Sequence, residues 1–98
     1  MDMRRAYYRM VGRWREIVDR PNSREVKQAE CLSVLRDYID GIAWARIRGP
    51  NRPLQFYADM LVLQELLQPT FATDELGEVA IRPAYALVRD WLDEHKSA

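Results

Sequence analysis

Residues 2–19, DMRRAYYRMVGRWREIVD, decide the fold class. Their apolar side chains recur at the three- and four-residue spacing that forms one face of an α-helix. These side chains are Met3, Ala6, Tyr7, Met10, Val11, Trp14, Ile17 and Val18. Asp2 can cap the first turn, and Pro21 disfavours helical geometry in the residue before it. The pattern therefore predicts a helix from Asp2 to Asp19.

The same spacing resumes beyond Pro21 and predicts a second helix from Asn22 to Arg48. Asn22 would cap this helix, with Glu25 three residues later, and Gly49-Pro50 would end it. Gly41 lies inside the run and costs about 1 kcal/mol relative to alanine. A bend, a close helix contact or a break at Gly41 is therefore the alternative to one long helix.

Two more helical segments follow, and together the four segments predict an all-α protein. Pro53 suits the first turn of a third helix, Leu54–Gln68, which is apolar on nearly all sides. Thr73 would cap a fourth, in which Pro83 allows one kinked helix or two pieces; we favour two. No strand or hairpin signal appears. We expect one domain, residues 1–98, folded as a compact bundle of four to five helices. Its N-terminal part would be an antiparallel helical hairpin, with the third helix packed across it.

Composition narrows the class of protein. With 48% apolar and 31% charged residues in 98, the chain is typical of a single globular domain. Its longest apolar runs fall far short of the ~18 residues that span a bilayer. No hydrophobic signal stretch follows Met1, so we expect a cytoplasmic protein without a membrane partner. Cys31 is the single cysteine and is expected to be a small buried hydrophobe.

Residues that usually carry catalysis are scarce. His95 is the single histidine, and its place near the C-terminus favours a role at a helix end. No metal-ligand motif and no glycine-rich phosphate loop is present. The carboxylate clusters stand among polar neighbours and are expected to be solvated. We therefore predict no enzyme, no cofactor and no metal site. A small enzyme that clamps an anionic substrate with arginines is a minor alternative.

The charges are divided unevenly along a chain of zero net charge. Residues 1–52 hold twelve Arg and Lys against seven Asp and Glu, whereas residues 53–98 hold three against eight. In the first helix Arg5, Arg9 and Arg13 follow each other at one-turn spacing, and each pair repels by a few tenths of a kcal/mol. Solvation, the acidic C-terminal segment of the same chain (Asp90, Asp93 and Glu94), a protein partner or a nucleic acid could relieve this repulsion. Zero net charge makes nucleic acid the weaker alternative.

Aromatic residues beside arginines complete the predicted binding surface, because this composition is typical of protein–protein hot spots. The predicted partner-binding residues are Arg5, Tyr8, Arg9, Arg13, Trp44, Arg46, Arg48 and Arg52. The third helix has more apolar surface than one core face needs, which suggests a homodimer. Its predicted oligomer face is Phe56, Met60, Leu63 and Leu67. We thus expect a non-enzymatic helical protein that regulates, inhibits or adapts a protein partner. The alternative is a nucleic-acid-binding accessory protein that uses the N-terminal arginines.

Overall fold

A computed structural model describes residues 3–45, 52–67 and 74–96, apart from the side chains of residues 44, 45, 52 and 53. All regular structure in these ranges is helical, which confirms the all-α class. The helices are α1 (Met3–Val18), α2 (Arg24–Ala45), α3 (Arg52–Leu66) and α4 (Arg82–His95), with a π-helical turn at Gly77–Ile81. None of these helices is both long and apolar enough to cross a membrane.

The second helix begins later than predicted and does not break. The Ser23 hydroxyl oxygen, and not Asn22, accepts a hydrogen bond from the Val26 N–H at 3.3 Å. Helix α2 then continues through Gly41 to Ala45. A Cβ atom built at Gly41 would meet no heavy atom within 4 Å, so no close helix contact explains this glycine. The prediction of one helix through Gly41 is therefore confirmed as far as Ala45, and the alternative of a break is wrong, because the buried apolar surface of the neighbouring turns holds the helix together.

The C-terminal helical run continues through Pro83: the π-helical turn ends at Ile81 and α4 begins at Arg82, so the two expected pieces are present but meet without a break. The Asp74 side-chain oxygen Oδ1 caps its start by accepting the Gly77 N–H at 3.0 Å, whereas Thr73 lies outside the described residues. Near Pro83 the turn widens, and the Arg82 N–H donates to the Gly77 carbonyl five residues earlier. Pro83 has no N–H and crowds the preceding turn, and a π turn accommodates both effects without ending the helix.

Two long-range hydrogen bonds tie α1 to α2. The Tyr38 hydroxyl donates to the Met3 carbonyl at 3.2 Å, and the Trp14 indole N–H donates to the Cys31 carbonyl at 2.9 Å. The first bond joins the start of α1 to the second half of α2, and the other joins the end of α1 to the first half. The two helices therefore run in opposite directions, as a hairpin requires.

One connected core draws side chains from α1, α2, α3, the π turn and α4. Met60 and Leu63 in α3, and Leu67 directly after its end, are almost completely buried in this core, and Phe56 packs against it. The predicted oligomer face is therefore occupied by the chain's own core. The sequence showed that α3 has two apolar sides but not which one the other helices cover. The apolar side chains that α3 leaves exposed are Leu54, Leu61 and Val62.

A pair of ionic contacts fastens the C-terminal run to the start of α2. The Lys27 ammonium lies 2.9 Å from Glu75 Oε1, and Lys27 is only 8% exposed. One turn away, Arg24 pairs with Glu78 at the surface. Since a buried ammonium is costly without a partner, the Lys27–Glu75 pair fixes how this run sits on α2.

Candidate partner-binding surfaces

Helix α1 presents its predicted arginine row to solvent. Arg5, Arg9 and Arg13 are all exposed, and α1 contains five arginines and a single acid, Glu16. Arg5 takes part in an interaction within the protein. Arg9 and Arg13 form no ion pair with any residue in the described ranges. Two guanidinium groups one turn apart thus remain available to an anionic partner.

A groove of about 250 Å³ runs beside these two arginines, between α1 and α2. From α2, Asp37, Tyr38 and Gly41 face Arg9 and Arg13 across it. Its apolar lining is Ala6, Met10 and Val34. Because it lies along the arginine row and carries more cations than anions, we call this feature, lined by the eight residues named here, the basic groove.

Tyr8 is the most exposed aromatic side chain of α1, at 64%. Its ring meets the edge of Tyr7 at a centroid distance of 5.6 Å and an interplanar angle of 69°. Tyr7 is itself held in place, because its hydroxyl donates to the Leu66 carbonyl at 2.9 Å. Tyr8 does not line the basic groove, and its ring offers a partner a separate contact area on α1 that loses little side-chain entropy on binding.

Part of the predicted partner-binding set lies outside the described structure. This holds for Arg46 and Arg48, and for the side chains of Trp44 and Arg52. Whether they extend the surface of α1 stays a prediction. The predicted internal partners of the row, Asp90, Asp93 and Glu94, are exposed on α4, and no ion pair within the described ranges joins them to Arg9 or Arg13.

A second cleft, of about 480 Å³, lies on the other side of α2, against α4. Its walls are the half-buried side chains of Ile39, Leu87 and Trp91, with the fully buried Met60 and Val88 beneath them. Charged groups stand at its rim: Arg36, Asp40, Asp90 and Glu94. We call this feature the acid-rimmed cleft.

Neighbouring aromatic rings hold Trp91 in the wall of the acid-rimmed cleft. His95 stacks on its indole at 4.0 Å and 19°, and Phe56 meets it edge-on at 5.1 Å and 83°. The His95 ring nitrogen Nδ1 also lies 2.8 Å from the Trp91 carbonyl, which confirms the predicted role of His95 at the helix end. Sequence reasoning missed this cleft, because Trp91 fits the core pattern of α4 and the acids fit a solvated face. Only the packing of α4 on α2 brings them together.

Burial shifts the pKa values of three titratable side chains in the hairpin of α1 and α2. Burial and the charge of Glu30 raise the pKa of the Cys31 thiol to about 11, so it is protonated and unreactive at neutral pH. Burial, then the charge of Asp59, raises the pKa of Tyr38 to about 12. Burial also raises the pKa of Tyr7. Among the described residues, no group of three or more His, Cys, Asp or Glu side chains is placed to hold a metal ion.

No protein-family model matches this chain, and neither a curated protein nor a solved structure matches it at a significant level. Functional inference therefore depends on the two surfaces themselves.

Proposed function

We propose that this protein is a non-enzymatic adaptor or regulator that binds an acidic segment of a partner protein along the basic groove. The observation that carries the proposal is that Arg9 and Arg13, which form no ion pair in the described chain, line one groove together. In this proposal the chain is a compact cytoplasmic bundle whose N-terminal hairpin supplies both walls of the groove.

The chemistry of the groove favours carboxylates presented on a folded or folding segment. Guanidinium groups bind carboxylates through two parallel hydrogen bonds, and arginine is less strongly hydrated than lysine. Arg9 and Arg13 are one helical turn apart, so they match acids one turn apart on a partner helix. Asp37 on the opposite wall repels any anion, but a helical segment can turn a neutral or basic side chain towards it, which a continuous phosphate backbone cannot do. Met10 and Val34 in the groove would then contact the apolar side chains of the segment beside the ion pairs.

The test is a fluorescence anisotropy titration with three labelled probes at two salt concentrations. The probes are an amphipathic peptide of glutamate and leucine at helical spacing, a random-sequence single-stranded DNA and a random-sequence RNA. The proteins are the wild type, Arg9→Ala/Arg13→Ala, and the control Arg82→Ala/Arg89→Ala, which removes two exposed arginines from α4. We expect the peptide to bind the wild type and the control alike, and the groove variant about tenfold more weakly.

Two outcomes would contradict the proposal. If the nucleic acids bind more tightly than the peptide and lose affinity steeply with salt, the arginines contact phosphate, and the protein is a nucleic-acid-binding accessory protein. If the groove variant and the control bind the peptide equally, the attraction is a general charge effect and the groove is not its site.

A homodimer through α3 is the second candidate. Leu54 is 73% exposed, and Leu61 lies seven residues later on the same side of the helix. Light scattering with size-exclusion chromatography would show a concentration-dependent dimer that Leu54→Lys/Leu61→Lys abolishes. A monomer at all concentrations, with an unchanged elution volume for the variant, would reject it.

A further inference from the structure

The acid-rimmed cleft has an apolar interior and carries charged side chains along its two edges, which we call the α2 bank and the α4 bank. Ile39 on α2 and Leu87 and Trp91 on α4 are only half buried, although each packs against the core. At about 480 Å³, the space between them accommodates a few apolar side chains rather than a whole helix. Any occupant would therefore insert anchoring side chains and leave its own backbone at the rim.

The charges at the rim indicate what kind of occupant fits. Asp40 stands on the α2 bank, and Asp90 and Glu94 stand on the α4 bank, so carboxylates flank the apolar interior on both sides. Arg36 is the cation in this lining. None of the four forms an ion pair within the described ranges of the chain. The rim thus has two negative charges in excess, and these are unpaired.

We propose that the acid-rimmed cleft is a docking site for a basic amphipathic segment of a partner protein. The apolar side chains of that segment enter between Ile39, Leu87 and Trp91, and its Lys or Arg side chains pair with the carboxylates on both banks. Charge complementarity selects this occupant, because an acidic segment would place like charges together on each bank. The site lies on the opposite side of α2 from the basic groove, and the proposal does not depend on the function assigned to that groove.

The probe for this site is a labelled amphipathic peptide of lysine and leucine at helical spacing. A glutamate–leucine peptide of the same pattern tests the sign of the charge, and a scrambled lysine–leucine peptide tests the need for an apolar face. The rim variant is Asp40→Asn/Asp90→Asn/Glu94→Gln. Its matched control, Asp19→Asn/Glu25→Gln/Asp93→Asn, removes three exposed carboxylates that do not line the cleft.

We expect the rim variant to bind the lysine–leucine peptide roughly tenfold more weakly, as the loss of three exposed ion pairs implies, and the control to bind within about twofold of the wild type. The variant Arg36→Glu makes the rim more acidic and is expected to bind about threefold more tightly, a gain that unfolding cannot produce. In a proton–nitrogen correlation spectrum the Trp91 indole resonance should shift on binding.

Three results would overturn the proposal. Equal losses in the rim variant and the control would show attraction to overall negative charge. Equal binding of the scrambled peptide would show that the apolar interior is not used. If instead the protein alone forms oligomers that the rim variant dissolves, the occupant is a second copy, with its α1 arginine row in the cleft.

Discussion

The surfaces on the two sides of α2 carry opposite charge. Towards α1, the basic groove presents Arg9 and Arg13 against a small and partly polar lining. Towards α4, the acid-rimmed cleft is nearly twice as large, with Trp91 in its wall and carboxylates on both banks. A chain of zero net charge thus carries two local surfaces of opposite sign. The difference shows that net charge says little about the partners of a small helical protein, because one helix can separate the two charges in space.

Reversing the charge of the basic groove should have the largest effect, because it removes the difference in sign between the two surfaces. The variant Arg9→Glu/Arg13→Glu replaces two positive charges with two negative charges facing a glutamate–leucine peptide, and we expect its affinity for that peptide to fall about a hundredfold. Its affinity for the lysine–leucine peptide at the acid-rimmed cleft should change by less than about threefold, because α2 separates the surfaces. Anisotropy titrations with both peptides measure the two effects. A similar change for both peptides would mean that the surfaces are not distinct.

Alkaline pH should lower the stability of the protein chiefly by weakening the packing of α1. Tyr7, Cys31 and Tyr38 all hold α1 in place or lie beneath it. The Cys31 thiol has a pKa of about 11 when folded and 9.0 when exposed. Above pH 9 the unfolded chain releases a proton that the folded chain keeps, so the free energy of unfolding falls as pH rises. This loss is about 2 kcal/mol by about pH 11.

Urea unfolding between about pH 8 and about pH 11 measures this loss. In Cys31→Ala the stability at neutral pH is lower, but its decline above pH 9 should be shallower than in the wild type. An identical decline in both proteins would contradict the assignment to Cys31.

Loss of the buried Lys27–Glu75 ion pair should have the next largest effect on stability. Glu75→Ala leaves the 8%-exposed Lys27 ammonium without its partner, and we expect the free energy of unfolding to fall by about 1.5 kcal/mol. The matched variant Glu78→Ala removes the surface pair with Arg24 and should cost less than about 0.5 kcal/mol. Denaturant midpoints distinguish the two. Equal costs would mean that burial of Lys27 does not depend on Glu75.

Substitutions of Gly12 and Gly41 should have the smallest effects on stability. They also test whether the glutamate–leucine peptide binds in the basic groove. Gly12 and Gly41 are exposed helical residues, and a Cβ at either would meet nothing within 4 Å. Alanine at either position should therefore stabilise the protein by about 0.8 kcal/mol. Only Gly41 lines the basic groove, so Gly41→Leu, and not Gly12→Leu, should weaken binding of the glutamate–leucine peptide. Equal binding by the two leucine variants would place the peptide elsewhere.

Helices could be predicted from the sequence where the apolar residues form a single stripe that packs against the core. For α1 the expected end, Asp19, lies one residue beyond the observed end, Val18, and Asp2, the predicted cap, lies outside the described residues. Its apolar stripe and Pro21 are local signals in the sequence, so no tertiary information was needed. Gly41 and Pro83 each left an alternative open in the prediction, because the strength of a helix breaker depends on the packing around it. Buried neighbours hold α2 together through Gly41, and a wider turn absorbs Pro83.

The candidate surfaces were predictable to a smaller extent. The exposure of Arg5, Tyr8, Arg9 and Arg13 follows from the helical stripe of α1. In α3 the stripe was ambiguous, and Met60 and Leu63 proved to face the core. The acid-rimmed cleft could not be predicted, because its walls come from helices that are separated in sequence and because its acids look solvated on each helix alone.

The most direct test of the central claim, that α2 separates two docking surfaces of opposite charge, is a two-peptide titration of the ¹⁵N-labelled protein. The acidic peptide should shift the backbone amides of Arg9, Arg13 and Gly41, and the basic peptide should shift Leu87 and the Trp91 indole. To avoid binding of the peptides to each other, each is titrated separately and the two sets of shifts are compared. Two separate sets would agree with the account. One shared set of shifted residues, or no localised shift with either peptide, would contradict it.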